Sequence, residues 1–177
     1  MQHTMNILAI PGSLRTDSST HAVLRAAAQF MAPHVDFQIY TGVGSLPHFD
    51  DSAAPSPGVT AFRHRLRTAD AVLICTPEYA FGVPGSLKNA LDWTVSSGEL
   101  VDKPLALITA ATGGSNAHAA LLLTFTALSA RVPESSRLLI SFIRAKMKDG
   151  EVSDPATLQK INAVVASLLA SITPAQS

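Results

Sequence analysis

Two short runs constrain this chain more than anything else in it: AVLICT at Ala71–Thr76 and LALITA at Leu105–Ala110, each apolar at every position but one threonine. A strand with one wet face alternates apolar and polar residues. Runs without alternation predict strands covered on both faces, as in the middle of a parallel sheet. Three further runs read as strands: NILAIP at 6–11, residues 35–40, and RLLISF at 137–142. Helical spacing fills the gaps. Val23, Leu24, Ala27 and Met31 share a face over 20–31; Leu87, Ala90, Leu91 and Val95 over 86–97; Ala117, Leu121 and Leu128 over 116–131. A weaker helix is expected over 57–66. The last helix has Asp154 to cap it, Pro155 at its first position, and a stripe of Leu158, Ile161, Val165, Leu168 and Ile172. Strand and helix alternating in this way predict an α/β fold, a doubly wound five-stranded parallel sheet with right-handed crossovers. No repeat or linker divides residues 1–177, so one domain is expected. Residues 42–58, rich in Pro, Gly, Ser and Asp, read as a long surface loop, a kind that is more often functional than idle.

Composition removes several partners. Formal net charge is zero, which gives no electrostatic reason to expect nucleic acid or an anionic membrane. The one basic cluster, Arg63, His64, Arg65 and Arg67, reads as a solvated helix face. A lone cysteine, Cys75, forms no intrachain disulfide and sits in an apolar run, so it is expected to be a small core residue. No run has the length of a membrane span, and the start of the chain has no signal-peptide pattern. A cytoplasmic location is expected.

In an open doubly wound sheet, ligands bind beyond the carboxyl ends of the strands. Three loops there have unusual composition. The first, GSLRTDSST at residues 12–20, follows the first strand and opens the first helix. Gly12 allows a tight turn, Ser13, Ser18, Ser19 and Thr20 offer hydroxyls, and Arg15 adds a positive charge next to unpaired helix N–H groups. This is a phosphate cradle, distinct from both the G-x-G-x-x-G and the G-K-[ST] patterns. A polar loop with a Ser/Thr cap is the plainer reading of the same residues. The second loop, residues 77–85, holds Pro77, Glu78, Tyr79, Ala80 and Phe81, with aromatic surface and free N–H groups suited to a flat heterocycle. Core plugging or an oligomer contact is its alternative. The third, residues 111–116, contains Thr112, Gly113 and Gly114, where backbone comes close to a ligand or simply turns. Placed on strands one, three and four, the three loops meet at one edge and suit a mononucleotide with a flat ring.

On these motifs, and above all TPEYAFGVPGSLKNALDW at residues 76–93, the chain resembles the NADPH-dependent FMN reductases of the flavodoxin-like fold, a group with quinone, chromate and azo-dye reductases. The stretch GEVSDPATL before the last helix is a weaker match. The resemblance implies a flavodoxin-like sheet in the order 2-1-3-4-5, bound FMN, and NADPH or NADH as co-substrate. It implies that Ser13, Arg15, Ser18, Ser19 and Thr20 hold the FMN phosphate. Pro77, Glu78, Tyr79, Ala80 and Phe81 would border the ring, and Thr112, Gly113 and Gly114 its other edge. Members self-associate as dimers or tetramers, with the helix of Lys88 and Asp92 near the contact. The chain departs from the family pattern where many members have Asn, at Thr20 and Ala80, and in the apolar stretch around Leu123 and Thr124, where many have Arg.

The expected reaction is ping-pong: electrons pass from nicotinamide to flavin and then to a small acceptor such as a quinone or another flavin. It requires no catalytic side chain, and none is nominated. Glu78 reads as a structural or oligomer-contact residue; His48 and His118, though near the loops, read as polar surface residues. A hydrolase is disfavoured for want of a G-x-S-x-G elbow, and a metal enzyme because the histidines are scattered. The remaining alternative is a flavodoxin-like FMN carrier or a non-catalytic flavin-binding protein.

Overall fold

Five strands, Met5–Pro11 (β1), Val35–Ile39 (β2), Ala71–Thr76 (β3), Leu105–Ala110 (β4) and Arg137–Ile140 (β5), pair in parallel in the order β2-β1-β3-β4-β5. The computed structural model describes residues 4–51 and 54–172. The reading of the first few residues, and the middle of the 42–58 loop, therefore lie partly outside the described residues. Among the described residues five α-helices link and flank the strands: Ser19–Gln29 (α1), Pro57–Thr68 (α2), Gly85–Asp92 (α3), Ser115–Ala127 (α4) and Pro155–Ser171 (α5).

The sheet divides the core in two because neighbouring strand residues point to opposite faces. Ile7 and Ala9 of β1, Leu73 and Cys75 of β3, and Ala106 and Ile108 of β4 pack with α1 and α5. Leu8 and Ile10, Val72 and Ile74, and Leu105 and Leu107 pack with α2, α3 and α4 on the other side. Both central strands are wholly buried, as their unbroken apolar runs require. Cys75 is one of these core residues, and burial pushes its thiol pKa up, which keeps it protonated and unreactive.

Helix starts follow local chemistry. Asp154 accepts the Thr157 N–H at 2.8 Å and Pro155 opens α5; Ser56 caps α2 by accepting the Val59 N–H at 3.4 Å. Several ends differ from expectation, among them that of α4, which stops at Ala127 instead of near residue 131. Helix α3 stops at Asp92, and Val95 lies beyond it, exposed. Trp93 closes that helix because its indole N–H donates to the Pro47 carbonyl at 2.9 Å. Strand β5 ends at Ile140 because Phe142 turns into the left-handed region at φ 54°.

The basic cluster on α2 is more than a solvated face. Arg63 donates to the Trp93 carbonyl at 2.8 Å and lies over the indole ring, while Arg67 reaches the buried Glu99 at 3.1 Å. The long loop before α2 is pinned to α3: Asn89 accepts the Phe49 N–H at 2.8 Å and donates to the Pro47 carbonyl at 2.9 Å.

A short hairpin was not anticipated: Met147–Lys148 (β6) pairs with Glu151–Val152 (β7). Its turn, Asp149-Gly150, has both residues at positive φ, the conformation of a type I′ turn.

Candidate functional site

Beyond the carboxyl ends of β1, β3 and β4 lies a cavity of about 400 Å³. Three separate stretches wall it. Ser13, Arg15, Asp17, Ser18, Ser19 and Thr20 form one side, Pro77, Glu78 and Tyr79 another, and Ala110, Ala111 and Thr112 the floor's edge. The three sequence-selected loops therefore converge. Ala80, Phe81, Gly113 and Gly114 stand beside these walls without lining the cavity.

The first loop enters α1 with Ser18 as N-cap, its Oγ accepting the His21 N–H at 3.4 Å. Ser19 and Thr20 occupy the first two helical positions, whose N–H groups have no intrahelical acceptor and whose dipole favours an anion. Ser13 is buried. Thr20 is fully buried, and among the described residues its Oγ1 has no hydrogen-bond partner. A buried hydroxyl left unpaired costs stability unless something else fills the gap. Arg15 is held by Asp17 through two contacts of 3.1 Å, both groups exposed.

The second loop contains a tight turn in which Tyr79 and Gly82 exchange both backbone hydrogen bonds, at 3.0 and 2.9 Å. Ala80 and Phe81 fill its centre at φ 48° and 59°. Such φ values suit Gly or Asn and strain an L-residue with a Cβ. Phe81 points away from the protein, 81% exposed. Glu78 turns the other way. Its carboxylate accepts the Gly114 N–H at 3.2 Å and the Ala117 N–H at 2.8 Å, capping α4 from a different loop.

The cavity's last wall is Ile143, Arg144 and Met147. They belong to a strap, residues 141–152, that leaves β5 and crosses to α1. At one end Phe142 N–H donates to the Thr112 carbonyl at 3.1 Å and Ile143 N–H to that of Ala111 at 3.2 Å. At the other, Arg25 of α1 contacts Glu151 at 2.9 Å and the Gly150 carbonyl at 3.1 Å. Sequence reasoning missed this wall. The Asp149-Gly150 dipeptide, a strong hairpin signal, was the cue to it.

This arrangement has known relatives. The model of the NADPH-dependent FMN reductase family matches residues 5–144. The chain belongs to that family. It is accordingly an oxidoreductase that works with FMN and draws electrons from a reduced nicotinamide. A protein of Vibrio ruber named NADH:(hydroxy)cinnamate reductase subunit CrdA is 31% identical over 170 residues, 90% of this chain and 83% of its own. The quinone reductase of Escherichia coli K12 is 28% identical over 172 residues, 91% of this chain and 92% of its own. Among solved structures, the flavoenzyme NAD(P)H:(acceptor) oxidoreductase FerB of Paracoccus denitrificans superposes with a TM-score of 0.81 at 27% identity, covering 95% of this chain and 97% of FerB.

Two histidines of this FMN reductase are held against hydroxyls, and one of them stands behind the cavity wall. His21, 7% exposed, places Nδ1 3.1 Å from Ser18 Oγ, and so braces the residue that caps α1. His118 of α4 lies 2.9 Å from Thr109 Oγ1, half-buried rather than on the surface, while His48 is exposed and away from the cavity walls. Burial, helped by the charge of Arg25, holds His21 below its ordinary pKa of 6.5, against a pull upward from the Arg15 backbone and Asp17. Burial and Arg137 do the same to His118. Both rings thus take up protons more readily in the unfolded chain. Their contribution to stability is full above about pH 6.5 and is lost as pH falls from there through the folded-state values. The melting temperature is expected to drop between pH 7 and pH 5, and His21→Gln to make that drop shallower. A melting temperature that is flat across this range would contradict both points.

Proposed function

We propose that the cavity is the FMN site of an NAD(P)H-dependent oxidoreductase, with the phosphate on Ser13, Arg15, Ser18, Ser19 and Thr20. The observation that carries this is the unpartnered Thr20 hydroxyl, buried against a helix N-terminus that offers two free N–H groups. A phosphate oxygen would satisfy all three donors. Where many relatives have Asn, the threonine hydroxyl still supplies a donor. Pro77, Glu78 and Tyr79 border the ring on one side and Thr112 on the other, with the backbone of Ala80, Phe81, Gly113 and Gly114 shaping the two loops beside them. Ala80 contributes backbone only. The domain that does this is the whole chain, residues 1–177.

FMN held here would supply the two-electron redox chemistry that links a reduced nicotinamide to the acceptor. The chain's own residues bind and orient it. Backbone N–H groups at the α1 start fix the phosphate end, Glu78 fixes the spacing of the two ring loops through its bonds to Gly114 and Ala117, and exposed Tyr79 leaves the mouth open for small acceptors. Quinones and azo dyes are acceptors consistent with relatives named quinone reductase and NADPH azoreductase. Among the described residues no helix is long and apolar enough to cross a membrane, which agrees with a cytoplasmic enzyme. Self-association as a dimer or tetramer is supported by large apolar side chains held in the open, among them Phe81 and Leu123, the latter 74% exposed.

The test is the visible spectrum of the purified protein, with FMN added if needed, followed by NADH or NADPH and a quinone. A flavin spectrum that bleaches with nicotinamide and recovers with quinone over many turnovers is the expected result. Failure to retain FMN at excess would overturn the assignment. Bleaching only with an added reductase would leave a carrier in place of an enzyme.

A further inference from the structure

Four charged residues line the cavity: Arg15, Asp17, Glu78 and Arg144. Three are already committed. Arg15 and Asp17 neutralise one another through a two-pronged contact, and Glu78 spends both oxygens on α4. The Arg144 side chain makes no ion pair or hydrogen bond among the described residues, although its backbone is fixed in the strap, where its carbonyl accepts the Met147 N–H. The lining's formal charges sum to zero, while a phosphate monoester carries close to two negative charges at neutral pH. A ligand of that charge needs a cation that is not already paired. A guanidinium matches phosphate oxygens with a planar fork of donors.

We propose that Arg144 is the residue that selects a phosphorylated flavin over its dephosphorylated form, reaching across from the strap to the phosphate that the α1 N-terminus holds. The proposal rests on the FMN reading above and adds to it a division of labour. The first loop supplies neutral donors and shape. Arg15, tied to Asp17, adds little net charge. The strap, an element outside the motif-bearing loops, brings the compensating charge. An arginine with this task lines the same cavity as the α1 start and has a side chain left unpaired until the ligand arrives, as Arg144 does.

The test is a pair of titrations, FMN and riboflavin, on the flavin-free full-length protein, read by quenching of flavin fluorescence. Wild type, Arg144→Gln and Arg144→Lys are compared. Arg144→Gln is expected to weaken FMN about 10-fold or more while leaving riboflavin affinity unchanged, with Arg144→Lys in between. The FMN affinity of wild type should also fall more steeply with added salt than that of Arg144→Gln. Equal losses for both flavins would mean that Arg144 meets the ring or the ribityl chain, and would overturn the proposal; so would unchanged affinity for both. A wild type that binds neither flavin would overturn the FMN reading itself. Wild type that binds FMN well, with a glutamine variant that discriminates equally well, would remove Arg144 alone.

Discussion

Gly12→Ala is expected to cost this protein about 3 kcal/mol or more of stability, and its flavin with it. A Cβ at position 12 would lie 2.3 Å from Thr76 Oγ1, 2.7 Å from Thr76 Cβ and 2.9 Å from Thr76 Cα. A side-chain hydroxyl could rotate away, but the Cα is backbone of the buried strand β3 and has nowhere to go. The closeness has a cause. Gly12 N–H donates to the Cys75 carbonyl at 2.7 Å, carrying the β1–β3 pairing one residue past the end of β1. Relief therefore requires parting the two strands where Ser13 leaves one and Pro77 the other, at the cavity's root. Thermal or urea unfolding measures the first effect and flavin content of the purified variant the second. A variant with the wild-type melting temperature and a full flavin complement would refute the argument.

Glu78→Ala is expected to be the next most damaging, by about 2 kcal/mol, and to weaken FMN as well. Helix α4 begins after Gly114, which sits at φ +102° and has no side chain with which to cap it. Glu78 does the capping from the loop after β3, its 2.8 Å bond going to Ala117, the third residue of the helix. Its negative charge also faces the positive end of the helix dipole. Alanine leaves those N–H groups unpaired and frees the Thr112 loop from the Tyr79 loop. Glu78→Gln keeps an acceptor but not the charge, so it should fall between wild type and alanine in both melting temperature and FMN affinity. Equal behaviour of Gln and Ala would show that charge, rather than hydrogen bonding, holds the loops together. Loss of activity in Glu78→Ala with unchanged stability and FMN affinity would instead place Glu78 in the chemistry.

Most of the scaffold could be read from residue order because its signals are local. Ala71–Thr76 and Leu105–Ala110 are apolar on both faces, so they had to be central strands. Asp154 and Pro155 start α5 through bonds made within one helical turn. The cap on the loop into α1 was legible for the same reason: Ser18 accepts the N–H of His21, three residues away. Where a side chain bonds far along the chain, the reading fell short. The end of α3 depends on Trp93 meeting Pro47, and the clasp on α2 on Arg63 meeting Trp93. Strands of two residues, such as β6 and β7, are too short to show a period at all.

By itself, then, the sequence determined the alternating α/β order, the two-sided burial of β3 and β4, and the three loops that gather at one sheet edge, since each is written in neighbouring residues. Tertiary structure alone decided that Glu78 caps a helix from another loop, that His21 props Ser18 from behind, and that a strap closes the cavity with an unpaired Arg144. The physical reason is that caps, clashes and charge balance depend on which groups meet across the sheet, and such meetings leave no mark in the order of residues.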